Sequence, residues 1–133
     1  MMSPVGLNRP ERHLRPALEV AIADLDDLTT VIAVKGELDL ATAPRLKWPL
    51  VDAIDTGHRH IVVDLSGASF MDSTALGVLI SARRSMRPDA GMAIVCVDPE
   101  VLKIFEISGL DVAFRIFATR EEALRHLRAS AVQ

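Results

Sequence analysis

The chain has 133 residues, 50% of them hydrophobic and 25% charged, a composition that supports one core, excludes disorder and leaves no length for two ordinary domains. With 15 basic and 18 acidic residues the net charge is −3, which argues against nonspecific nucleic-acid or anionic-membrane binding, since both need clustered positive charge. The single cysteine, Cys96, excludes an internal disulfide and a Cys-rich zinc site. No apolar run approaches the ~18 residues of a membrane span and no apolar segment of signal-peptide type opens the chain, so a reduced, cytoplasmic location is expected.

Residues 1–16 hold Pro4, Pro10 and Pro16 among Arg9, Arg12 and Arg15 without apolar periodicity, and read as a flexible N-terminal arm. The ordered domain is expected over 17–130. Leu18, Val20 and Ile22 alternate with Glu19, Ala21 and Ala23, the period-2 pattern of a half-buried strand. Val31 to Val34 is a second β-branched run. The polar Asp24 to Thr29 between them is too short for a crossover helix, so the two strands should form an antiparallel hairpin.

Gly36-Glu37-Leu38-Asp39 then reads as a turn. A helix is predicted from Thr42, its N-cap, to Asp55, with Leu46, Leu50 and Ile54 as its apolar stripe. Pro49 removes a helical hydrogen bond and clashes with the preceding turn, which predicts a kink near Arg45–Pro49. Gly57 ends the helix. Ile61 to Leu65 is apolar on both faces, as a central parallel strand should be, and Ser66-Gly67-Ala68-Ser69 reads as loop. A helix opens near Asp72-Ser73 and runs to about Met86, before Pro88. Met92 to Val97 is another apolar strand. Asp98-Pro99 caps a helix carrying Val101, Leu102 and Phe105 and ending at Gly109. Phe114 to Phe117 is a last short strand. Thr119-Arg120-Glu121-Glu122 is a capping box for a terminal helix with Ala123, Leu124 and Leu127 on its apolar side. The order β-β-α-β-α-β-α-β-α is that of an α/β domain with a mixed, mostly parallel sheet packed with helices.

Catalytic motifs are mostly absent: there is no phosphate-binding Gly-rich loop, no dinucleotide fingerprint and no nucleophile elbow. His58 and His60 are two ligands without a further carboxylate or thiol to complete a site, and read as an unremarkable exposed pair rather than zinc ligands. Cys96 lies in an apolar strand, where thiols are inert. A receiver-type phosphoprotein would nominate Asp26-Asp27 and Asp64 for its carboxylates. Against it, the first two strands have no helix between them, and Phe117-Ala118-Thr119-Arg120 offers no lysine.

Phe70-Met71-Asp72-Ser73-Thr74-Ala75-Leu76-Gly77 places two adjacent hydroxyls at a helix start. Asp72 or Ser73 can simply cap that helix. A phosphoserine could equally sit there, because a helix N-terminus presents N–H groups and a positive dipole end, and it would add ~1.5–2 negative charges.

This segment resembles the Asp-Ser-Ser/Thr-Gly-Leu-Gly signature of bacterial anti-sigma factor antagonists, single-domain members of the STAS family. Gly36-Glu37-Leu38-Asp39 resembles that family's Gly-Glu-Leu/Ile-Asp turn, and Ser108-Gly109-Leu110 its Ser-Gly-Leu. The similarity runs from about Leu18 to Arg128. It implies a STAS-like domain without catalysis of its own and without a cofactor. The implied partners are an anti-sigma factor that is also a serine kinase of the histidine-kinase-like ATPase type, and a serine phosphatase, with no direct contact to nucleic acid or membrane. The unphosphorylated antagonist would sequester the anti-sigma factor and free a sigma factor, as in stress-response partner switching. Phosphorylation of Ser73, with Thr74 at most a minor site, would break that complex. The implied partner-binding residues are Glu37, Asp39, Asp72, Ser73, Thr74 and Ala75, on a monomer or weak dimer. Ala75 stands where the family has glycine, and its methyl group is expected to crowd a kinase. Trp48, off the helical stripe, is expected to be a rim residue of the core or a partner anchor. The alternative within this fold is an accessory subunit docked on a phospholipid or other transporter ATPase.

Overall fold

Residues 18–132 are described in a computed structural model of the chain; the arm expected over 1–16 lies outside them. Within that span the strands are β1 (Glu19–Asp24), β2 (Thr29–Leu38), β3 (His60–Met71), β4 (Gly91–Val95) and β5 (Arg115–Phe117). The helices are α1 (Ala43–Asp55), α2 (Ser73–Ser85), α3 (Pro99–Ser108), α4 (Leu110–Ala113) and α5 (Arg120–Val132). The sheet runs β1-β2-β3-β4-β5, with β1 antiparallel to β2 and every other pair parallel. This is the expected order with one addition, the single turn of α4 that follows Gly109.

β3 shows why a central strand reads as apolar throughout. Ile61, Val63 and Leu65 face the layer of α1, α2 and α3, where Ile32, Leu46, Leu50, Leu79 and Phe105 are also buried. Val62 points the other way, with Val31, Ala93 and Val95, under Ala123 and Leu127 of α5. Each large side chain fully buried in these layers contributes about 1.5–3 kcal/mol relative to exposure. β1 is the edge strand, and the alternation expected of it fades along its length. Leu18 is buried and Val20 half-buried, but Ile22 stays exposed although its register partner Ile32 is buried.

Two segments expected as turn and loop are strand. β2 continues through Gly36-Glu37-Leu38, and β3 continues through Ser66-Gly67-Ala68-Ser69 to Met71. The two extensions pair with each other, with register shifts between Ala33 and Lys35 and between Gly36 and Glu37. Glycine permits this. Gly36 has φ 117°, and a Cβ at Gly67 would stand 2.8 Å from the Val34 carbonyl oxygen. Neither extension has the β-branched density of a typical strand; pairing holds them extended.

Other boundaries move less. α1 keeps its stripe, with Leu46 and Leu50 fully buried, and runs unbroken through Pro49. Thr42 occupies the cap position, but its side chain does not cap the helix. β4 ends at Val95, so Cys96 and the half-exposed Val97 belong to the loop leading to the Asp98 cap. Phe114 closes α4 before β5 begins. At the start of α5 the Glu122 N–H donates to Thr119 Oγ1 at 3.2 Å, while the Glu122 carboxylate accepts from the Ala118 N–H at 3.3 Å, one residue earlier than a capping box requires. His58 and His60 are not an exposed pair. His60 is buried with Nδ1 3.4 Å from Thr29 Oγ1. His58 is largely covered and lies 3.4 Å from the Asp24 carboxylate.

Candidate functional site

Parallel pairing of Leu38 with Met71 brings the ends of β2 and β3 level. The residues that follow, Asp39 and Asp72, therefore leave the sheet side by side, and the Asp72 N–H donates to the Leu38 carbonyl at 3.1 Å. Each aspartate organises the start of the next helix. Asp39 Oδ1 accepts from the Ala41 and Thr42 N–H groups, both at 3.0 Å. Thr42 Oγ1 turns back to donate to the Glu37 carbonyl at 2.7 Å and to accept from the Asp39 N–H at 2.9 Å, which is why it is not available as a helix cap. Asp72 is the N-cap of α2, its Oδ1 accepting from Thr74 N–H at 2.9 Å and Ala75 N–H at 3.4 Å.

This arrangement changes one expectation. Two of the N–H groups at the helix start, those of Thr74 and Ala75, already donate to Asp72. A phosphate at position 73 would project outward beside the Asp72 carboxylate, so its charge would face an approaching surface.

The six expected partner-binding residues separate by depth. Ser73, the first residue of α2, is exposed. Glu37, Asp39, Asp72 and Thr74 are half-buried. Ala75 has 0% exposure and belongs to the core with Leu76 and Leu79. Its methyl group points inward and offers nothing to a kinase or a partner, so the expected crowding has no structural basis. Small size at this position serves packing under α2.

Two residues join the site that sequence reasoning did not select. Leu40, 75% exposed, follows Asp39, and Phe70, 47% exposed, lies two residues before Asp72 and pairs in register with Glu37. They set apolar surface beside the exposed hydroxyl. Phe70 was inside the signature itself, but residue type does not reveal which side of the strand it occupies. Farther along α1, Trp48 is 62% exposed with the Lys47 ammonium 5.2 Å from its ring centroid, so it is not packed into the core rim. A groove of about 430 Å³ between α1 and α2 begins at Thr74 and is bordered by Lys47.

The competing sites do not assemble. Asp64 is buried in mid-strand and bonded to the Ser66 N–H at 2.9 Å and the Arg120 guanidinium at 2.5 Å. Burial alone would raise its pKa, but the bonds from Ser66 and Arg120 outweigh that and hold the carboxyl below its ordinary value. Asp26 is a turn carboxylate, accepting from the Leu28 N–H at 2.9 Å. Burial pushes the Cys96 thiol up, away from the reactive thiolate. Among the described residues no three His, Cys, Asp or Glu side chains gather as a metal site, and no helix is long and apolar enough to cross a membrane.

Comparison with known proteins places this geometry among relatives. A family model described as STAS domain matches residues 20–123. The anti-sigma-F factor antagonist RsfB of Mycobacterium tuberculosis is 26% identical over 116 residues, covering 87% of this chain and 94% of RsfB. The crystal structure of an anti-sigma factor antagonist from Mycobacterium paratuberculosis aligns with a TM-score of 0.79 at 27% identity, over 84% of this chain and 95% of that one. The anti-sigma factor antagonist SpoIIAA in its unphosphorylated form gives 0.72 at 29% identity, over 84% of this chain and 97% of SpoIIAA. The phosphorylated form of the same Bacillus protein gives 0.65 at 26% identity, over 83% of this chain and 100% of that one.

Proposed function

The chain belongs to the STAS domain family, and on that premise we propose that it is an anti-sigma factor antagonist switched by phosphorylation of Ser73. Unphosphorylated, it holds an anti-sigma factor, itself a serine kinase of the histidine-kinase-like ATPase type, and so frees a sigma factor. A serine phosphatase restores that form after phosphorylation. The protein acts by binding alone.

The observation that carries this reading is the hydroxyl of Ser73. It is exposed at the first position of α2, while the neighbouring Asp72, not Ser73, caps the helix. A hydroxyl with no part in holding the fold is accessible to a kinase. Asp39 and Asp72 fix the two loops around it, and Leu40 and Phe70 supply apolar contact area. The relatives named as antagonists, one of them solved in both phosphorylation states, support the same assignment. A transporter-docked STAS subunit has no use for such a hydroxyl.

The switch follows from charge. A phosphate adds about two negative charges beside the Asp72 carboxylate, on a surface that loses water when a partner docks. One added unit charge against a like charge at ~6 Å, in an effective dielectric near 20, costs roughly 3 kcal/mol. That corresponds to about a hundredfold in affinity or more. The test is incubation with the cognate kinase and ATP followed by peptide mass spectrometry. Phosphate on Ser73 is the expected result; phosphate on Thr74 alone, or on neither residue, overturns the assignment.

A further inference from the structure

At the opposite end of the sheet from Ser73, a cleft of about 650 Å³ lies below the starts of β3, β4 and β5. Its charged lining is lopsided. Arg59 comes from the residue before β3, Arg83 from the last turn of α2 and Arg115 from the first residue of β5, while Asp89 is the only carboxylate. Asp89 lies 3.4 Å from Arg59 and 3.8 Å from Arg87, which stands outside the lining. Among the described residues neither Arg83 nor Arg115 pairs with a carboxylate, and Arg115 Nε donates to His126 Nε2 at 3.5 Å. Arg83 suits the C-terminus of its helix, but that does not explain why two arginines from other elements converge with it. The wall also carries the imidazoles of His60 and His126, with an apolar part formed by the buried Met92 and Leu127 and the exposed Pro88.

We propose that this cleft binds a small phosphate monoester carrying an apolar or aromatic body. Among the Arg and Asp side chains of the lining, three guanidinium groups stand against one carboxylate, an excess of two positive charges that matches one phosphate monoester dianion. Guanidinium forks match phosphate oxygens with paired hydrogen bonds. The Met92–Leu127 wall accommodates the apolar body, and the volume lies within the range of small-molecule sites. The chain as a whole is acidic at −3, so this concentration of arginines is local. The assignment rests on the lining alone and stands apart from the Ser73 switch.

The test uses the full chain and three probes: phenyl phosphate, inorganic phosphate and phenol, each titrated while backbone amide shifts are followed by NMR. Phenyl phosphate should shift Arg59, Gly91, Met92 and Arg115 saturably, inorganic phosphate the same amides more weakly, and phenol none of them. Loss of two charge-assisted contacts in the Arg83→Gln/Arg115→Gln double variant should weaken phenyl phosphate by about tenfold or more. Asp89→Asn removes the competing carboxylate and should tighten it, an outcome that a merely structural cluster would not give. Absence of saturable shifts, or unchanged affinity in the folded double variant, overturns the site. Equal affinity for inorganic phosphate and phenyl phosphate overturns the apolar half of the assignment.

Discussion

At Ala75 a single methyl group separates two accounts of the switch residue's surroundings. If it lay on the surface it would obstruct a kinase, but with 0% exposure it fills the underside of α2. Ala75→Gly should therefore lower stability by roughly 0.5–1 kcal/mol, through backbone entropy within a helix, and leave the rate of phosphate transfer to Ser73 unchanged. Thermal melts alongside a kinase time course check both halves, and faster transfer in the variant would restore the crowding argument. His60 carries a second residue-scale consequence. Burial lowers its pKa below 6.5; Asp26 opposes that shift, and Arg128 and Arg59 add to it. Between the lowered value and 6.5 the unfolded chain holds more protons, so stability rises with pH across that interval and is lost as pH falls through it. The lowered pKa values of Asp26 and Asp64 act below 3.8, outside this window. The melting temperature should drop between pH 7 and pH 5, and the drop should shrink in His60→Gln; an equal drop in the variant would remove His60 as its source.

The paired extensions of β2 and β3 are the elements that position the site, because they carry Asp39 and Asp72 to the same level. Their geometry depends on Gly67 having no side chain. Gly67→Ala would drive a Cβ against the Val34 backbone carbonyl, which cannot swing aside as a side chain would. A loss of about 1–3 kcal/mol is expected, measurable by denaturant titration, and an unchanged midpoint would mean that the ladder gives way freely. α1 makes the opposite prediction. Pro49 withholds an N–H inside a continuous helix, so Pro49→Ala should raise the melting temperature; a lower one would show that packing around α1 depends on the proline.

These elements also show what the sequence could and could not reveal. The helices were legible because their caps and stripes are local: Asp98 before Pro99, Leu46 and Leu50 one turn apart, Gly109 at φ 77°. Ser66 to Ser69 were not, because their extended state comes from a partner strand some thirty residues earlier. The candidate site drew attention at Asp39, Asp72 and Ser73 because each stands in a short motif that resembles the family's. It was not legible at Leu40, Phe70 or Ala75, where the direction of the side chain decides the role and residue type does not encode it. The arginines of the lower cleft come from separate elements and make no motif at all.

Across the whole molecule, the two ends of the sheet differ in character. The C-terminal strand ends present aspartates, an exposed serine and apolar side chains; under the proposed switch, added negative charge there would meet existing negative charge and an approaching partner. The fold beneath does not depend on that serine, since the helix is capped by Asp72 and its N-terminus tolerates further negative charge. Ser73→Ala should bind the anti-sigma factor constitutively, and Ser73→Asp should bind weakly while melting cooperatively near the wild-type temperature. The most direct measurement of the central claim is the affinity of the purified protein for its cognate anti-sigma factor, by calorimetry, before and after stoichiometric phosphorylation of Ser73. The account predicts a loss of about a hundredfold or more with the fold intact; equal affinities of the two forms would contradict it.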